Sequence, residues 1–193
     1  MTQPPLDVVV LRVGDYLLDA PRPGDVDDLV RALADPVIGL WNPPSASAQV
    51  APAREQAETW IADRASWGAD HASWVVRDRD GHLLGAVSLH HIDDVMATAE
   101  IGYWMAPDGR ERGLGAAATE AATRFGFEQL RLARIELFHA VENEASCRLA
   151  TRCGFRLEGT TRSSFVYGDG ARHDEHLHGR LSSDTYPDIA PPR

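Results

Sequence analysis

Between Glu100 and Phe127 the chain reads EIGYWMAPDGRERGLGAAATEAATRFGF, and the residue types follow an order suited to holding an anion. Glu100 to Met105 is rich in β-formers, Ala106 to Arg112 is a polar loop, and strong helix formers run from Ala116 to Phe127. A strand that enters a helix through glycines leaves backbone N–H groups unpaired at the helix N-terminus, where a phosphate or pyrophosphate is bound. Gly113 and Gly115 have no Cβ to hold the ligand off, and Arg110 and Arg112 add positive charge. Downstream, Asn143 and Ser146 lie three apart at the head of a predicted helix. Asn143 suits an N-cap there, and a serine hydroxyl can donate a proton.

Glycine loops of three kinds compete for this stretch. A Walker A loop needs Lys followed by Ser or Thr, but Gly115 is followed by Ala116 and Ala117 and the chain has no lysine. The dinucleotide fingerprint G-x-G-x-x-G/A fits Gly113, Gly115 and Ala118 on paper. However, the loop from Ala106 to Arg112 is too long for that fold's tight turn, and the C-terminal remainder of the chain is too short for a second half-sheet. The third pattern, Arg/Gln-x-x-Gly-x-Gly/Ala, is present as Arg110-Glu111-Arg112-Gly113-Leu114-Gly115. It resembles the acyl-CoA pyrophosphate loop of the GNAT (GCN5-related N-acetyltransferase) superfamily. Glu100-Ile101-Gly102-Tyr103-Trp104-Met105 looks like the fourth strand of its RimJ/RimL-like branch. Asn143-Glu144-Ala145-Ser146, followed by Arg152-Cys153-Gly154-Phe155-Arg156-Leu157-Glu158-Gly159, resembles that branch's "N-x-x-S … GF-x-x-EG" block.

The resemblance implies an α/β (α+β) GNAT fold: a central mixed, mostly antiparallel sheet of seven or so strands, splayed between the family's strands 4 and 5 and flanked by four or so helices. It implies acetyl-CoA, or another acyl-CoA, as co-substrate and no metal. The pyrophosphate would lie on Arg110, Glu111, Arg112, Gly113, Leu114, Gly115 and Ala116. The pantetheine arm would pair with the strand backbone at Tyr103, Trp104 and Met105, and with Asn143. Ser146 would protonate the departing thiolate. Branch members that acetylate protein N-termini are associated with a glutamate in the sixth-strand region, where this chain has Ser163-Ser164-Phe165. Glu100 is therefore taken as the catalytic base, against the alternative of a solvated strand-end carboxylate. Tyr103 and Trp104 alternate along the strand, so one faces the cleft and the other the core. Members of the family often form dimers, so a homodimer is expected.

An α-amine of pKa about 7.8 is roughly 15% neutral at pH 7, whereas a lysine amine near 10.4 is under about 0.1% neutral. A site without a dedicated base handles the α-amine far more easily, so the acceptor is read as a protein N-terminus or a small α-amine. The rival reading is a non-catalytic acyl-CoA-binding module, which the phosphate loop fits equally well. Trp41, in the loop Gly39 to Ser45, is a candidate wall of the acceptor site as well as a packing residue. His90, in His90-His91-Ile92-Asp93-Asp94, is a candidate acceptor-site residue. Adjacent strand residues point to opposite faces, so His90 and His91 are not expected to share an ion.

The formal net charge is −10. An acidic chain lacks the basic face that nucleic acid or an anionic membrane requires, and suits a cationic amine. Cys147 and Cys153 have no CxxC or His/Cys cluster near them in sequence, which suggests neither zinc nor a disulfide framework. No apolar run is long enough to span a membrane, and a cytoplasmic location is expected. Residues 1–181 read as one domain and 182–193, with three prolines, as a disordered tail. Strands are expected over Val8–Leu11, Tyr16–Ala20, Ser73–Arg77, Leu83–Ile92 and Arg134–Val141, and in a final hairpin. Helices are expected from an Asp25 cap to Pro36, over 53–68, after the glycine loop, and over Glu144–Arg152.

Overall fold

The computed structural model describes residues 6–43, 51–190 and 192. A short hairpin, β1 (Leu11–Val13) and β2 (Tyr16–Asp19), precedes helices α1 (Val26–Leu33), α2 (Pro36–Trp41) and α3 (Ala53–Ala62). Strands β3 (Ala72–Arg77), β4 (Leu83–Asp93) and β5 (Thr98–Met105) lead through the polar loop into α4 (Leu114–Glu128). Strand β6 (Arg134–Ala140), helix α5 (Glu144–Arg152) and the hairpin β7 (Arg156–Val166)–β8 (Arg172–Leu181) complete the chain. The strands form one sheet in the order β1-β2-β3-β4-β5-β6-β8-β7. Its neighbours are antiparallel except β5 and β6, which run parallel. This is the expected mixed fold, with eight strands and five α-helices among the described residues.

The additional helix is α2. Pro36, expected to end a helix, instead starts one, because Asp35 accepts hydrogen bonds from the N–H groups of Val37 and Ile38 and proline is tolerated at the first helical position. Asp25 stands before α1 but makes no side-chain cap; its carboxylate binds the buried Arg77 guanidinium instead. Helix α3 stops at Ala62, short of the expected residue 68, and Trp67 turns into the core with its indole N–H on the Ser73 carbonyl. Strand β1 begins at Leu11 rather than at Val8. Pro44 and Ser45, the end of the expected acceptor loop, lie outside the described residues.

Strand alternation divides the core between the two sheet faces. Ala99 and Ile101 of β5 pack with Leu114, Ala118, Ala122 and Phe125 of α4. Trp104, of opposite parity, packs with Val75, Ala86 and the inner faces of α1, α2 and α3. The alanines of α4 leave little side-chain bulk between helix and sheet, and each fully buried leucine or phenylalanine contributes about 1.5–3 kcal/mol. A second buried ion pair, Arg180 with Glu120, ties β8 to α4. Residues 182–190, expected as a disordered tail, lie against this layer. The Ser182 N–H bonds the Ala133 carbonyl, Tyr186 stacks 4.1 Å from the Arg124 guanidinium, and Ile189 packs on the core. Among the described residues no helix is long and apolar enough to cross a membrane.

The feature that positions the site is the gap between β5 and β6. They pair only at Thr98–Arg134, Ala99–Ile135 and Glu100–Glu136. Beyond Glu100, β5 keeps β4 on one side, while β6 continues along β8 to Ala140. The outer edge of β5 from Ile101 to Met105 thus has no strand partner among the described residues.

Candidate active site

On the α4 face of the gap, the polar loop delivers the chain to a helix N-terminus. Gly113 precedes α4 with φ +75°, and Glu111 also has positive φ, at 62°. The opening N–H groups of an α-helix have no carbonyl behind them within the helix, so those at the head of α4 form an arrangement that can receive an anion. Of the two loop arginines, Arg110 is already engaged: its Nε donates to the Met105 carbonyl at 3.1 Å and an η nitrogen to Asp35 at 2.6 Å. That guanidinium, with the two amides of α2, holds the Asp35 carboxyl below the usual carboxylate range. Arg112 is exposed. Arg152, which the sequence marked as a helix end and not as a phosphate-site cation, brings its guanidinium 3.8 Å from where a Cβ on Gly113 would stand. Gly115 has a packing reason: a Cβ there would lie 3.1 Å from Leu149 and 3.3 Å from Met105.

Beside the head of α4, Asn143 Oδ1 accepts the Ser146 N–H at 3.1 Å, which makes Asn143 the N-cap of α5. Ser146 Oγ lies 2.7 Å from the Tyr103 hydroxyl, so the two side chains bridge from β5 to α5. Burial pushes the Tyr103 phenol above its usual value and keeps it protonated. Met105 packs alongside on this face. The alternation is resolved: Tyr103 points to α5, and Trp104 to the opposite face, edge-on to Trp60 at 6.1 Å.

That opposite face holds a cavity of about 840 Å³ whose lining includes Trp41, His90, Glu100, Tyr103, Phe165 and Glu175. Trp41 closes α2 and packs edge-on to Tyr167, with 5.5 Å between ring centroids. Glu100 lies 3.5 Å from His90 Nε2 and 3.0 Å from His91 Nδ1. The two histidines were expected to diverge. A bulge defeats the alternation, because the β4–β5 register shifts after His90 and His91 has φ +51°. Hydrogen bonds from His90 and then His91 outweigh burial and hold the Glu100 carboxyl down to about 2. The missing sixth-strand glutamate has a spatial counterpart that sequence reading passed over. Glu175 of β8, buried, accepts hydrogen bonds from Ser164 at 2.8 Å and Tyr167 at 2.9 Å. The signal was Glu175 in cross-strand register with Thr161, close to Ser164.

The loop residues Arg110 to Ala116 are thus brought together with Tyr103, Met105, Asn143 and Ser146 on one face of the sheet. Trp41, His90, Glu100 and Trp104 are gathered on the other, and the β5–β6 gap lies between. A further grouping, not apparent in linear order, involves one of the two cysteines. Cys147 has a His/Cys cluster in space, because His139, His176 and His178 surround it.

A match to the acetyltransferase (GNAT) domain family spans residues 16–156. YdaF of Bacillus subtilis, whose name places it provisionally among ribosomal N-acetyltransferases, is 41% identical over 95 residues, 49% of this chain and 51% of that protein. Spermidine N(1)-acetyltransferase of Vibrio cholerae is 34% identical over 85 residues, 44% of this chain and 49% of that one. The chain spans about half the length of these curated relatives. The solved structure of Mycobacterium smegmatis RimJ in complex with CoA-disulfide shares the fold at TM-score 0.73 and 24% identity, over 90% of this chain and 86% of that one. With the splayed sheet, the glycine loop and these likenesses together, the chain belongs to the GNAT acetyltransferase family.

Proposed function

We propose that this chain moves an acetyl or other short acyl group from acyl-CoA to a primary amine, by direct attack in a ternary complex. The carrying observation is the β5–β6 gap, with an anion cradle and a hydroxyl pair on one face and an acidic, aromatic cavity on the other. The residues present fit coenzyme A: amides at the head of α4 and the cations Arg112 and Arg152 suit a diphosphate, and the unpartnered edge of β5 suits the amides of a pantetheine arm. The bound thioester supplies an activated acyl carbon and a thiol leaving group.

The chain's own residues then have distinct tasks. A β5 backbone N–H near Tyr103 to Met105 receives the developing oxyanion. Ser146, hydrogen-bonded to Tyr103, returns a proton to the leaving sulfur. Glu100 cannot readily take the proton of the amine. Moving it from an ammonium of pKa about 7.8 to a carboxylate near 2 costs about 8 kcal/mol. We assign proton acceptance to His90, with Glu100 as the positioning residue that orients its ring. Glu175 draws the cationic acceptor into the cavity, with Trp41 as its wall. The relatives' names divide between ribosomal-protein and polyamine acceptors, both amines, and the neutral fraction of an α-amine favours an N-terminal or small α-amine here.

Thiol release measured over a panel of amines, with CoA binding followed by calorimetry, tests the assignment. Turnover on α-amines, lost in Ser146→Ala and His90→Ala with CoA affinity kept, supports it. CoA binding without turnover on any amine leaves a binding module, and saturation by NAD or ATP in place of CoA overturns the reading altogether.

A further inference from the structure

His139 on β6 and His176 on β8 are cross-strand partners, and His178 lies two residues on from His176 along the same face. Cys147, on the first turns of α5, closes over them. One ligand atom from each of the four residues lies within 4.8 Å of all the others. Phe138 and Glu175, of opposite parity on the same strands, line the acceptor cavity, so this cluster sits on the other face of the sheet.

Hydrogen-bond accounting makes the cluster unusual. His139 Nδ1 lies 2.7 Å from the Ala140 carbonyl and His178 Nδ1 lies 3.3 Å from the Phe155 carbonyl. A carbonyl only accepts, so both Nδ1 atoms donate, and in the neutral rings both Nε2 atoms then carry lone pairs. Those two Nε2 atoms face each other at 3.1 Å. Two opposed lone pairs at that distance repel unless a proton or a metal cation lies between them. Both rings are buried, which disfavours the imidazolium that an extra proton would create. His176 Nδ1 is a further buried nitrogen without a hydrogen-bond partner among the described residues.

We propose that Cys147, His139, His176 and His178 form a tetrahedral transition-metal site for zinc. The donor set, three imidazoles and one thiolate, suits zinc by ligand softness, and four protein ligands leave no open position, the mark of a structural site. Zinc–nitrogen bonds of about 2.0–2.1 Å set neighbouring nitrogens about 3.4 Å apart, close to the spacing of His139 and His178. The carbonyls on the two Nδ1–H groups are the outer-shell partners that metal-bound histidines use to fix their tautomer. On binding, the Cys147 S–H bond breaks, its proton leaves to solvent, and the sulfur electron pair enters the metal bond; no redox change occurs. His139 and His178 are buried while Cys147 and His176 are half-buried, so the metal enters beneath α5. The site pins α5, with Asn143 and Ser146 at its head, onto β6 and β8.

Metal-free full-length protein titrated with zinc and with cobalt tests this directly. One zinc per chain, a rise in melting temperature, and a cobalt spectrum with strong tetrahedral bands and a thiolate charge-transfer band are expected. Cys147→Ser should abolish the charge-transfer band and weaken zinc by more than the ~10–100-fold of a lost outer-shell partner. His91→Ala, which disrupts the other histidine group at Glu100, should change neither. Thiol labelling gives a second readout that needs no variant. Cys153 is buried with its thiol pushed up to about 12, so Cys147 is the reactive group, and zinc should protect it. Failure of zinc to bind, to shift the melting temperature or to protect Cys147, or an unchanged cobalt spectrum in Cys147→Ser, would overturn the proposal.

Discussion

Tyr103 and Ser146 are expected to act as one proton-donating unit, and a double-variant cycle tests it. Tyr103→Phe removes a hydroxyl 2.7 Å from Ser146 Oγ but keeps the ring packed against the core. Burial raises the phenol, so it stays protonated and the hydrogen bond persists across the working pH range. A lost neutral hydrogen bond costs about 1 kcal/mol of stability, or about 2–4 °C in melting temperature for a chain of this size. A lost proton donor to the departing thiolate costs about 10²–10⁴-fold in turnover, about 3–5 kcal/mol at the barrier. The two losses therefore separate by size and by assay. Single-turnover thiol release with an α-amine acceptor reads the second, and calorimetry with CoA checks that binding survives. Because Tyr103 reaches the sulfur only through Ser146, adding Tyr103→Phe to Ser146→Ala should cost almost nothing further, a strongly non-additive cycle. Wild-type turnover in both single variants, or fully multiplicative losses in the double variant, would refute the reasoning.

Gly113→Ala places a Cβ at φ +75° and should cost about 1–2 kcal/mol in denaturant titration while also weakening CoA in calorimetry. Glu175→Gln removes a buried carboxylate from the acceptor cavity. It should raise KM for cationic amines by about 10–100-fold, from the ~1.5–3 kcal/mol of a charged hydrogen bond, with little change in CoA affinity. Glu100 has its folded pKa depressed from 4.5 to about 2, so its contribution is fully present above the unfolded value and is lost as pH falls through about 2. With about a third of the side chain exposed, screening reduces that contribution to about 1 kcal/mol. Urea titrations should show wild type ahead of Glu100→Gln near about pH 6 and level with it near about pH 2. Asp25→Ala strands the buried Arg77 guanidinium and should cost about 3–5 kcal/mol in the same titrations.

Much of the fold was legible because its signals are local. Alternation marked β3, β4, β5 and β6, glycines and polar runs marked the turns, and Glu144–Arg152 appeared with its expected ends. The strand–glycine loop–helix passage proposed to hold an anion was also readable, since a strand, two glycines and a helix act through backbone within one short stretch. Other features depend on partners distant in sequence. Pro36 opens a helix because Asp35 turns its carboxylate to the amides ahead, and Arg110, 75 residues away, clamps that carboxylate. The carboxylate absent from Ser163-Ser164-Phe165 arrives as Glu175 on the next strand, through hairpin register alone. His90 and His91 meet on Glu100 because a bulge breaks the period that placed them on opposite faces. The four residues grouped around His139 and Cys147 come from two strands and a helix, and no linear spacing announces them. Sequence determined which segments could be strand, loop or helix, since those preferences reside in each residue and its near neighbours. Tertiary structure alone decided which charges and lone pairs face one another, because that depends on where separate elements come to rest.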